Sequence, residues 1–141
     1  MTTLAEIQDF VREQCGASKP MPVATRLEED LGITGDDYFE LIDEYSRRFS
    51  VNTDGFLWYF HCHEEAFNPG SWFFPSPNDQ VLRIPITIGH LLEFANTGTW
   101  AIAYPAHTLA KRRYDIYITW LLCPTPVIVA FLAATLRYAS K

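Results

Sequence analysis

Apolar residues recur at helical spacing in three places along this chain. Leu4, Ile7, Val11 and Cys15 trace the first stripe. Thr3 and Glu6 stand at capping-box separation before it and Gly16 follows, so the pattern predicts a helix over residues 3–15. Tyr38, Leu41, Ile42, Tyr45 and Phe49 trace the second stripe and predict a helix over 36–49. Ile88, Leu91, Leu92 and Ala95 trace the third, with Thr87 to cap it and Gly98 to end it. Between the first two, Pro20 and Pro22 predict an extended loop over Ala17–Arg26. After Phe49 the periodicity stops. Asn52-Thr53-Asp54-Gly55 is turn chemistry, and eight of the 21 aromatic residues then fall between Phe56 and Phe74. Pro69, Gly70, Pro75 and Pro77 break that run into short pieces, which reads as a mini-core, a lid over the helices or an exposed apolar patch. Residues 81–86, VLRIPI, read as a short extended piece.

The polar side of the second helix is acidic. Asp36, Asp37, Glu40, Asp43 and Glu44 crowd its start and outer face, and Arg47 and Arg48 stand near its end, both in the sense the helix dipole favours. Glu44 and Arg48 have the spacing of a favourable pair. The last segment has the opposite character. Residues 116–136 carry no charge, with Lys111-Arg112-Arg113 before them and Tyr114, Tyr117, Trp120 and Tyr138 near their ends. That length suits a transmembrane helix with its leading end on the cytoplasmic side. Pro124 and Pro126 at its centre suit a packed helical hairpin equally well.

The run LEEDLG-x-x-x-DD-x-x-E-L-I-x-x-x-x-x-x-F-x-V, residues 27–51, resembles the centre of an acyl carrier protein. Asp30, Leu31 and Gly32 fall on that family's D-L-G, Asp37 on the second Asp of its D-S-[LM]-D motif, and Glu40 and Leu41 on its E-L. The serine to which phosphopantetheine is attached falls on Gly35. The chain is similar to a small bacterial family of unknown function whose carrier-like sequences lack that serine. The resemblance implies a mainly α, carrier-like helical bundle over residues 1–100 with an aromatic insertion at 56–80, followed by an apolar extension over 101–141. It also implies that Asp36, Asp37, Glu40, Asp43 and Glu44 meet arginines and lysines of partner proteins. Phosphopantetheinyl transfer needs a hydroxyl nucleophile, so no such cofactor is expected at Gly35. A glycine there suits a helix N-terminal cap instead.

Charge divides the chain unevenly. The formal total is −6, but the first 65 residues are strongly acidic and the remainder is mildly basic. This argues for a basic-surfaced protein partner and against nucleic acid. Cys15, Cys62 and Cys123 are odd in number and scattered, and no signal-peptide pattern opens the chain, so a cytoplasmic setting is expected, at the inner membrane if residues 116–136 span it. His61-Cys62-His63-Glu64-Glu65 is the one cluster with metal-ligand residue types. A strand would put His61 and His63 on one face, yet no second ligand pair has a familiar spacing, so they are weak metal candidates. No nucleophile elbow, phosphate loop or H-E-x-x-H run is present. The expected function is a non-enzymatic, carrier-like interaction module without cofactor. The alternatives are a membrane-tethered adaptor anchored by residues 116–136, or a small metal protein or enzyme using His61 and His63.

Overall fold

The computed structural model describes residues 1–16 and 20–124. Its order is α1 (Leu4–Cys15), α2 (Gly35–Phe49), three single 3₁₀ turns (Trp58–Phe60, Pro69–Trp72, Pro77–Asp79), α3 (Ile88–Thr97) and α4 (Tyr114–Leu122). The protein is mainly α-helical. Among the described residues only isolated bridges stand in for strands: Arg26 with Thr87, and Asn52 with Thr99.

The first and third helices start and stop where the local code places them. Thr3 Oγ1 accepts from the Glu6 N–H while the Glu6 carboxylate accepts from the Thr3 N–H, and Gly16 closes α1 in the left-handed region. In α3 the same box is made by Thr87 and His90, whose Nδ1 accepts from the Thr87 N–H, and Gly98 closes the helix. His90 therefore serves as half of a cap.

The core lies where α1, α2 and α3 meet. Ile7, Phe10, Val11, Tyr38, Leu41, Ile42, Tyr45, Leu91 and Phe94 are all buried there. Phe10 meets the Phe49 ring edge-on at 5.5 Å, and the Tyr45 ring lies 5.3 Å from Phe49. The Tyr45 hydroxyl donates to the Leu91 carbonyl oxygen at 2.5 Å, tying α2 to α3. Arg48 does not pair with Glu44. It crosses to Glu13 on α1 at 2.5 Å and lies over the Phe10 ring, while Glu44 pairs with Arg47 at 2.9 Å. Over Phe10 the Arg48 guanidinium gains the attraction of the ring's π face.

The aromatic stretch divides in two. Its first part extends the core: Phe56 is sandwiched between Tyr38 at 6.3 Å and His61 at 5.5 Å, with Trp100 edge-on at 5.0 Å. Phe60 and Cys62 are buried too. Its second part stays outside, with Phe67, Trp72, Phe73 and Phe74 exposed. Residues 81–86 remain without strand pairing, although Ile84 N–H donates to the Phe60 carbonyl and Leu27 N–H to that of Ile86.

The α4 helix packs against the Pro69–Trp72 turn of the insertion. It holds the start of the segment read as a membrane span. No helix among the described residues is long and apolar enough to cross a membrane, and residues 125–136 of the proposed span lie outside those described.

Candidate functional site

Helix α2 buries Tyr38, Leu41, Ile42 and Tyr45 and thereby turns its acids outward. Asp36, Asp37, Glu40 and Asp43 are exposed and form no ion pair with any described residue. Glu44 differs from these four, being half-buried and bound to Arg47. Asp36 and Asp37 occupy the first turn, where the free N–H groups of the helix favour negative charge.

Gly35 is the first helical residue and not the cap; Thr34 holds the cap position without a side-chain cap bond. The Thr34 hydroxyl instead lies 3.3 Å from both Glu28 Oε1 and the His63 carbonyl oxygen, donating to one at a time. Gly35 has φ +53°, and a Cβ added there would stand 2.6 Å from the Glu65 side chain. The flexible carboxylate could swing aside, but the backbone conformation costs an L-residue about 1–2 kcal/mol. A serine at this position is therefore disfavoured by the backbone itself.

Gly35, Asp36, Phe39, Phe67, Arg113 and Trp120 are among the residues that line an open groove of about 690 Å³. Glu64, Asn68, Arg113 and Thr119, which also line it, belong to a clamp that joins α4 to the insertion. The Arg113 guanidinium donates to both Glu64 carboxylate oxygens at 2.7 and 2.8 Å and to Asp115 Oδ2 at 2.6 Å. Asn68 Nδ2 donates to the same Asp115 oxygen at 2.8 Å. Gly70 N–H donates to Thr119 Oγ1 at 2.9 Å, and that hydroxyl donates to Asn68 Oδ1 at 2.5 Å. Asp115 is buried, but Arg113 beside it holds its carboxyl below the usual range against the opposing pull of burial. At Gly70 the helix comes so close that a Cβ would lie 2.9 Å from the Thr119 nitrogen and closer still to the Asp115 carbonyl.

The two histidines read as weak metal candidates are not brought together. His61 is buried: its Nδ1–H donates to the Ile84 carbonyl oxygen at 2.7 Å, and its Nε2 accepts from the Tyr104 hydroxyl at 2.7 Å. Tyr104 oxygen in turn accepts from Trp100 Nε1–H at 2.9 Å and Leu57 N–H at 3.2 Å. Every donor in this chain has one acceptor, which fixes a neutral imidazole with its proton on Nδ1. Burial presses the His61 pKa down to about 4. His63, by contrast, is exposed and meets Glu28 Oε1 at 2.8 Å, beside the Arg83 guanidinium that also pairs with Glu28. Both nitrogens of His61 are taken by protein, so it has no lone pair for a metal. Among the described residues no group of three or more His, Cys, Asp or Glu is placed to hold a metal ion.

Sequence reasoning missed the clamp. Arg113 was read as flanking an apolar tail, whereas its charge is spent on Glu64 and Asp115. The available signal was a glycine and an asparagine within an aromatic run, together with an aspartate inside an apolar segment.

Together these features define a small helical domain with an acidic helix face and an appended aromatic, clamped helix. The family model for proteins of unknown function called DUF1493 matches residues 3–103, most of the chain, and the chain belongs to that family. The match ends before α4 begins. No curated protein and no solved structure matches the chain.

Proposed function

We propose that this protein is an acyl-carrier-like interaction module without a phosphopantetheine arm, which binds a basic partner protein through α2. The supporting observation is the exposed row of Asp36, Asp37, Glu40 and Asp43, free of ion pairs among the described residues, on a helix whose other side is fixed in the core. Acids left unpaired on a rigid helix keep their field available for a cationic partner and cost no rearrangement on binding. Glu44 adds charge at the edge of the row but shares it with Arg47. Gly35 is consistent with this reading, since its left-handed backbone suits glycine at the place where a carrier would hold its nucleophile. Docking, rather than covalent loading, is then the work of this helix.

The test is a quantitative pull-down with immobilised full chain, comparing wild type with Asp36→Lys/Asp37→Lys/Glu40→Lys and with Asp9→Lys on the exposed side of α1. The α2 reversals are expected to remove the bound proteins, and the α1 reversal to leave them in place. An unchanged set of bound proteins with the α2 variant contradicts the docking role.

A further inference from the structure

The aromatic segment 67–74 and α4 pack on each other and together leave several large rings exposed to water. Phe67, Trp72, Phe73, Tyr117 and Trp120 are each more than half exposed, and Phe74 and Tyr114 touch at 5.6 Å across the junction. Scattered apolar residues on a surface are ordinary, whereas several large aromatics on two packed elements mark an interaction face. We propose that this face seats on an anionic lipid surface and lies in the headgroup region without crossing the bilayer.

Three observations select that occupant. The exposed rings include two tryptophans and a tyrosine, whose apolar bodies and polar tips suit the membrane–water boundary. Lys111 and Arg112 stand exposed immediately before α4 and form no ion pair with any described residue, so their charge is free for phosphate headgroups. Two of the neighbouring acids, Glu64 and Asp115, are neutralised by Arg113, while Asp36, Glu65 and Asp79 form no ion pair with any described residue. Glu65 lies against Gly35 on the groove side.

The helix is also held in a way that favours lying over spanning. It has 9 residues, so it is about 13 Å long against the roughly 30 Å of a hydrocarbon core. Carrying Thr119 and Asp115 into lipid would strip their bonds to Gly70, Asn68 and Arg113. Beyond α4 the sequence continues without charge to Leu136, which makes this end of the chain the apolar one throughout.

The experiment is cosedimentation of the full chain with vesicles of phosphatidylcholine alone and of phosphatidylcholine mixed with phosphatidylglycerol. Wild type is expected to bind the anionic vesicles, with a blue shift of tryptophan emission. Trp72→Ala/Trp120→Ala is expected to lower partitioning at least about tenfold, since each removes a large ring from the contact. Trp72→Tyr/Trp120→Tyr, which keeps amphipathic rings, should retain most of the binding. Lys111→Glu/Arg112→Glu should lower it about tenfold on anionic vesicles only. Absence of wild-type binding overturns the proposal. So does undiminished binding of the Trp→Ala variant, because the segment beyond α4 would then carry the contact alone. A wild-type dimer in solution that the same variant turns into a monomer, without vesicle binding by either, assigns the face to a second copy instead.

Discussion

The three-helix core and the appended α4 region solve the burial problem in opposite ways. In the core the aromatics are inside and the acids outside: Tyr38, Tyr45 and Phe10 are 0% exposed, and the α2 carboxylates face water. Around α4 the charge is inside and the rings are outside: Asp115 is 2% exposed, while Trp72 and Trp120 are 79% and 73% exposed. A core of the first kind is stabilised by removing apolar area from water and completes itself. A junction of the second kind is held by directed bonds and leaves its rings in water. The difference leads to the expectation that each region can be damaged without the other.

The largest effect is expected at the junction. Gly70→Ala puts a methyl where the Asp115 carbonyl and the Thr119 nitrogen stand, and should cost the docked helix about 3 kcal/mol or more. Hydrogen exchange over Tyr114–Leu122 should rise strongly, while protection of α1 and α2 stays as in wild type. Exchange rising equally in all the helices would mean that the two regions are one cooperative unit.

The next effect is a pH dependence belonging to the core side. His61 is held neutral in the folded chain with a pKa of about 4, below the ordinary 6.5 of the unfolded state. The unfolded chain therefore takes up a proton first as pH falls. The contribution is complete above about pH 6.5 and is lost progressively towards pH 4, up to about 3 kcal/mol in all. Urea melts at stepped pH should show this slope for wild type and lack it for His61→Gln. The added proton has no acceptor in the described network, because Tyr104 oxygen already receives two donors.

The smallest effects contrast two buried tyrosines on the same helix face. Tyr45 has a partner in the Leu91 carbonyl, so Tyr45→Phe should destabilise by about 1 kcal/mol. The Tyr38 hydroxyl is buried with no hydrogen-bond partner among the described residues, so Tyr38→Phe should be neutral or stabilise by about 1 kcal/mol. The thermal midpoint should fall for Tyr45→Phe and stay level or rise for Tyr38→Phe. Equal losses would show that Tyr38 finds a partner in solution.

Sequence pattern revealed the elements whose causes are local. Thr3 with Glu6, Thr87 before α3, and Gly16 and Gly98 each act on residues within one turn, and they set the ends of α1 and α3 as expected. The acidic face of α2 was equally legible, because burying Tyr38, Leu41 and Tyr45 leaves the acids only one side. What escaped were contacts between distant residues: Arg113 with Glu64 and Gly70 with Thr119 are each 49 positions apart, and His61 with Tyr104 is 43. Nothing periodic marks such pairs. The His61–His63 alternation suggested a shared strand face, but no strand forms there, and a tight turn ending at His61 turns one ring inward and leaves the other in water. Arg48 likewise had two acids within reach, and only packing beside Phe10 decides between them.

Deuterium uptake tests the division between the two regions most directly. It would be measured on the full chain alone, on the complex recovered from the pull-down, and on the chain with phosphatidylglycerol-containing vesicles. The partner should protect α2 and leave segment 67–74 and α4 unchanged, and the vesicles should do the reverse. Protection of both regions by either one, or of α2 by neither, would contradict the account.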